Sequence, residues 1–177
     1  MTSTRSKQDY MRSSLELATQ ALEFGEFPIA AIIVLDGRII ASGSATEVRQ
    51  KRYLGHAELL ALEDADRLGL SLEQRRAARL FTTLEPCLMC MGAAMSFFLG
   101  EIHYALESPG DGAVSLVKAW ERRQADIHFG LHVTRQTGGN ARHRESAEEN
   151  RHPNRLLVDR RHFLYSLLEC SRLSQNE

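Results

Sequence analysis

The residues able to do chemistry fall into two short stretches of this chain. In "TLEPCLMCMGAAM", residues 83–95, Cys87 and Cys90 stand three apart, behind Pro86 and ahead of a helical run. In "GHAEL", residues 55–59, His56 and Glu58 stand two apart where another helix begins. Cysteines at i and i+3 in a first helical turn bring both sulfurs to one face. The positive end of the helix dipole lowers thiol pKa and supplies the thiolates that zinc requires. With His56 as third ligand, the fourth tetrahedral position is left for water, as in catalytic rather than structural zinc sites. Glu58 then fits the role of general base and general acid without competing for the metal.

Two plainer readings compete. A C-x-x-C pair can be a redox dithiol, but such a pair normally follows a Trp-containing stretch, and Leu84-Glu85-Pro86 precedes Cys87 here. A closed structural zinc site needs a fourth ligand, for which Cys170 and His103 are the candidates. The pairing of His-x-Glu with Pro-Cys-x-x-Cys, in that order and at helix starts, favours the catalytic metal site over both.

Positioning these stretches requires an α/β layer structure. Met11, Leu15, Ala18 and Leu22 give residues 6–24 the period of an amphipathic helix. "FPIAAIIV" reads as a buried strand joined by an Asp36-Gly37 turn to "RIIASG", a hairpin. Residues 57–68 fit a helix closed by Gly69, 78–84 a strand, 87–99 a helix closed by Gly100, and 101–106 another strand. A short helix over 115–123 and a strand over 126–134 follow. This order implies a helix crossing over between parallel strands. The polar stretch 136–155 reads as a loop or insertion and 156–172 as a closing helix.

With 177 residues, 43% of them hydrophobic, the chain suits a single domain over 1–177 that needs no disulfide staples. A net charge of −1 gives no global reason to expect a nucleic-acid or membrane partner, although residues 122–161 hold nine arginines against five acids. No apolar stretch reaches membrane-spanning length, and "MTSTRSKQDY" lacks the apolar core of a signal peptide. The expectation is a cytoplasmic protein with reduced thiols or metal ligands.

His56-Ala57-Glu58 followed by Pro86-Cys87-Leu88-Met89-Cys90 carries the H-x-E and P-C-x-x-C elements of zinc deaminases. On these motifs the chain resembles the cytidine deaminase-like superfamily over residues 8–120. "GEFPIAAIIV", "GHAELLALEDA", "TLEPCLMCMGAAM" and "DGAVSL" look most like bacterial tRNA adenosine deaminases, with guanine deaminases close behind. The resemblance implies a three-layer α/β/α sandwich around a mixed five-stranded sheet, one zinc ion per subunit held by His56, Cys87 and Cys90, Glu58 as proton shuttle, and a homodimer. It also implies a substrate pocket that includes Ser44, Ala45, Ala57 and Pro86. Family members usually place a base-contacting asparagine eleven positions before the histidine, where this chain has Ala45. Ser44 or Thr46 are the neighbours able to take over part of that role.

The resemblance therefore implies hydrolytic removal of an exocyclic amine from a nucleobase, nucleoside or related aminated ring. A site built around a polar contact discriminates by factors of about 10⁴ when the contact is lost, so Ala45 tilts the expectation towards a small nucleobase-like molecule. Likeness to the tRNA enzymes supports tRNA adenosine instead. A third reading, of another class, is an inactive deaminase-fold subunit that binds RNA or a protein partner. The presence of Glu58 argues against it, since a purely structural zinc site has no use for a proton shuttle.

Overall fold

Ser6 starts the first helix with a capping box: its hydroxyl accepts the Asp9 N–H at 3.2 Å, and Asp9 Oδ2 accepts the Ser6 N–H at 2.9 Å. The computed structural model describes residues 5–119 and 132–136. Within them run α1 (Lys7–Glu23), β1 (Ala30–Leu35), β2 (Arg38–Ser44), α2 (Ala57–Asp66), α3 (Leu72–Ala77), β3 (Arg79–Leu84), α4 (Leu88–Phe97), β4 (Glu101–Leu106), α5 (Val114–Ala119) and β5 (His132–Arg135). Apart from Gln136, the expected loop at 136–155 lies outside the described residues, as do the closing helix at 156–172, Cys170, and 120–131 from the expected helix and strand there.

The strands form one sheet in the order β2-β1-β3-β4-β5. β1 pairs antiparallel with both β2 and β3, whereas β3, β4 and β5 run parallel. Helix α4 makes the expected crossover between β3 and β4. Every residue of β1 is buried, as a strand covered on both faces must be. Alternation divides the core: Leu80 and Ile102 face α2 and α4, while Ile32 and Phe81 face Tyr10, Met11 and Leu15 of α1. The result is a three-layer α/β/α sandwich.

The Asp36-Gly37 hairpin is present, with φ of 50° and 75° at its two turn residues. β1 starts later than the apolar run suggests, because Phe27 and Ile29 bracket Pro28 in a tight turn closed by an Ile29 N–H bond to the Phe27 carbonyl. Helix α3 has no apolar period and was not expected, yet Ser71 and Gln74 form a capping box at its start. Helix α4 ends differently from the reading above. Phe98 takes the left-handed conformation at φ 64°, and Gly100 is required for another reason: a Cβ there would run into the Arg76 carbonyl oxygen. No helix among the described residues is long and apolar enough to cross a membrane.

Candidate active site

The two motifs meet where the N-terminal ends of α2 and α4 converge beside the sheet. His56 is the N-cap of α2, and Cys87 is the N-cap of α4 rather than a residue of its first turn. Both are extended, at φ −69° and −70°, so their side chains project past the helix ends. Cys90 follows in the first turn of α4 and is buried. Its sulfur lies 3.6 Å from Cys87 Sγ, and both sulfurs lie 3.6 Å from His56 Nδ1.

These edges fit a zinc ion. Bonds of about 2.3 Å to sulfur and about 2.0–2.1 Å to nitrogen, at tetrahedral angles, put neighbouring ligand atoms about 3.5–3.8 Å apart. A disulfide would need about 2.05 Å, so Cys87 and Cys90 are not bridged to each other. Among the described residues, these three form the one cluster of His, Cys, Asp or Glu whose ligand atoms converge. His103 is not part of it. It lies on the α1 side of the sheet, stacked on Phe81 with ring centroids 4.6 Å apart, and it bonds Glu101 instead.

The three groups share protons. Hydrogen bonds from Cys90 and from His56 push the Cys87 thiol down to about 3. The Cys87 bond, opposed by burial, lifts His56 to about 9. Cys90, donating to Cys87 and desolvated, is pushed far above the usual thiol range. Once a metal displaces the protons on His56 and Cys90, the two sulfurs and the imidazole nitrogen make a donor set suited to zinc.

Glu58 is 3% exposed on the first turn of α2. The Thr82 hydroxyl on β3 donates to its Oε1 at 2.9 Å, and Cys90 Sγ lies 3.5 Å from its Oε2. Burial raises the Glu58 pKa, with these hydrogen bonds opposing. The carboxylate is therefore fixed by one oxygen and faces the triad with the other.

Two further carboxylates fasten the segments next to the triad. Glu26, 1% exposed, accepts the N–H groups of Val48 and Arg49 at 3.0 and 2.6 Å, which fastens the segment between β2 and α2. Glu85 accepts from Ser108 N and Val114 N, each at 3.1 Å, and packs where a Cβ on Gly112 would stand. Ala113 N donates to the Pro86 carbonyl at 3.0 Å, so the "DGAVSL" stretch braces the entry to α4.

The expected pocket residues are placed as follows. Ser44 ends β2 half-buried, Ala57 is buried in α2, and Pro86 is buried before Cys87. β2 and α2 touch closely, since a Cβ on Gly43 would strike the Ala57 carbonyl oxygen. Ala45 is 1% exposed, and its N–H is bonded to the Ile29 carbonyl. The Thr46 hydroxyl is turned to the Gly55 carbonyl at 3.5 Å. Reasoning from sequence missed Thr82 and Glu26. Nothing in local spacing marks Thr82, and Glu26 carried a weak signal only as a charged residue leading into an apolar strand.

Fold and triad together define a zinc-site α/β protein of the deaminase type. The chain belongs to the family described as the cytidine and deoxycytidylate deaminase zinc-binding region, whose model matches residues 4–106. It is 34% identical over 103 residues to a tRNA-specific adenosine deaminase of Bacillus subtilis (strain 168), a match covering 58% of this chain and 63% of that one. The chain thus spans less than two thirds of that relative. A solved structure from studies of A-to-I editing by tRNA:A34 deaminases at the wobble position of transfer RNA is 30% identical, with a TM-score of 0.60, covering 73% of this chain and 92% of that chain. The structure of a guanine deaminase from Bacillus subtilis is 27% identical, with a TM-score of 0.55, covering 71% of this chain and 85% of the other.

Proposed function

We propose that the protein is a zinc-dependent hydrolytic deaminase that removes the exocyclic amine of a nucleobase-type ring and releases ammonia. The observation that carries this reading is Glu58: a buried carboxylate held by Thr82 through one oxygen, with its other oxygen 3.5 Å from Cys90 Sγ. His56 Nδ1, Cys87 Sγ and Cys90 Sγ would hold the zinc ion, which when bound makes water nucleophilic near neutral pH. Glu58 Oε2 takes a proton from the attacking water as the water oxygen bonds to the ring carbon bearing the amine. The carboxyl passes this proton to the adjacent ring nitrogen, then carries the second water proton to the amine. The C–N bond breaks with its electron pair on nitrogen, and a carbonyl remains on the ring. Burial, which raises the Glu58 pKa, suits a group that must hold a proton between two transfers.

Ala45 favours a small aminated ring. Its methyl group is buried, and Thr46 spends its hydroxyl on Gly55, so neither restores the amide contact of the family's asparagine. A second reading, deamination of a tRNA adenosine, is favoured by the likeness to tRNA-specific adenosine deaminases. Ammonia release by zinc-loaded protein, measured over free bases, nucleosides, nucleotides, aminated heterocycles and tRNA, tests both. Glu58→Gln serves as the blank and is expected to keep zinc while losing activity. Release from small molecules alone supports the first substrate class, and release from tRNA alone the second. Full activity in Glu58→Gln overturns the mechanism, and silence across the panel overturns the enzyme reading.

A further inference from the structure

The metal-ligating face of His56 accounts for only one of its ring nitrogens. Nδ1 faces the two sulfurs, while Nε2 faces Glu47 Oε1 at 3.3 Å on the opposite side of the ring. Both side chains are largely enclosed, at 27% exposure for His56 and 22% for Glu47.

The backbone on either side of Glu47 is fastened. Thr46 N donates to the Gly55 carbonyl at 3.1 Å, and Gln50 N donates to the Thr46 carbonyl at 3.0 Å. Beyond Glu47, the buried Glu26 carboxylate takes the N–H groups of Val48 and Arg49. A carboxylate carried on a segment held at both neighbours is aimed, whereas one on a free loop would sample many directions. Gly55, one residue before His56, lies so close to Thr46 that a Cβ would meet its hydroxyl oxygen at 2.5 Å. The same clasp therefore sets both ends of the Glu47–His56 pair.

A neutral imidazole can offer Nδ1 to a metal only when its proton sits on Nε2, and a carboxylate facing Nε2 selects that tautomer and fixes the ring plane. We infer that Glu47 is a positioning residue of the zinc centre: it accepts the Nε2 proton of His56 and holds Nδ1 towards the metal. This inference rests on His56 being a zinc ligand.

The test is chelator-competition titration with zinc, together with NMR of the zinc-loaded protein labelled with ¹⁵N at its histidines. Glu47→Ala is expected to weaken zinc binding by about 10–100-fold and to remove the downfield hydrogen-bonded Nε2 proton of His56. Glu47→Gln, whose amide oxygen still accepts that proton, should regain part of the affinity and move the signal upfield without abolishing it. If Glu47→Ala does not fold, Glu47→Gln alone decides through these same two readouts. Wild-type affinity with an unchanged Nε2 signal overturns the inference. So does a loss of affinity that leaves that signal unchanged, or a Gln variant no better than Ala. His56→Ala separates the premise: if it keeps wild-type zinc affinity, the ligand assignment itself fails, and if it loses zinc while the Glu47 variants bind normally, only the role of Glu47 fails.

Discussion

Thr82 on the central strand β3 donates its hydroxyl to Glu58 on α2 at 2.9 Å, tying the proposed proton shuttle to the middle of the sheet. The two residues are separated by 24 positions in the chain. A donor to a carboxylate favours its ionised form. Thr82→Val should therefore raise the Glu58 pKa further, moving the acidic limb of the kcat/KM profile to higher pH. Thr82→Ser should keep the limb in place. A pH–rate profile of the three proteins checks this, and an unmoved limb in the Val variant would remove Thr82 from the mechanism.

Zinc uptake should release protons. His56 is held protonated up to about 9 beside the Cys87 thiolate, and Cys90 is kept as a thiol, so a metal must displace protons from both. Zinc affinity is expected to rise steadily between about pH 6 and 8. Titration calorimetry in buffers of different ionisation enthalpy measures the number released, and a value of zero would contradict the ligand set.

Cys87→Ala should lose the metal and also stability, since the shared ion ties the start of α2 to the start of α4. Chelation of the wild-type protein should lower its Tm in the same direction. A zinc-replete, fully stable Ala variant would exclude Cys87 as a ligand.

The close approach of β2 to α2 depends on Gly43, where an added Cβ would meet the Ala57 carbonyl oxygen and, at 2.8 Å, the Ala61 nitrogen. Backbone atoms cannot rotate away as a side-chain tip can. Gly43→Ala is expected to cost about 1–3 kcal/mol in denaturant unfolding. It should also weaken zinc binding, because the displaced helix carries His56 and Glu58. Wild-type stability would show that the two elements slide apart freely.

His103 should make the fold acid-sensitive. Burial lowers its pKa below the ordinary 6.5, against the opposing bond to Glu101. The unfolded chain then binds the proton more readily than the folded one. The resulting stability is complete above about pH 6.5 and is lost as pH falls from there towards the folded value. Unfolding free energies measured across that window should decline for the wild type and flatten for His103→Gln. Equal slopes would place the acid sensitivity elsewhere.

The donor set was legible in the sequence because its signals are local. His56-x-Glu58 and Pro86-Cys87-x-x-Cys90 sit at helix starts, where capping geometry dictates which way side chains project. The hairpin at Asp36-Gly37 and the crossover through α4 were equally readable, the first from turn chemistry and the second from element order. The end of α4 was less so: Gly100 looked like its stop, but Phe98 accepts the left-handed conformation and Gly100 makes room for the Arg76 carbonyl.

Only the tertiary structure decided how the parts close on one another. Thr82 and Thr83 are neighbours of one residue type, yet strand alternation sends the first to Glu58 and the second to the N–H of Ala30 at 3.2 Å. Glu47 sits in a polar segment with no period, and its position beside His56 follows from hydrogen bonds that fasten its neighbours Thr46, Val48 and Arg49 to Gly55 and Glu26, which lie further along the chain in either direction. Sequence by itself determined which groups could bind a metal and move a proton, since residue type and helix-start spacing are short-range properties. Packing of α2 and α4 on the sheet determined that three of those groups stand 3.6 Å apart, because that distance depends on how two helices dock rather than on either helix alone.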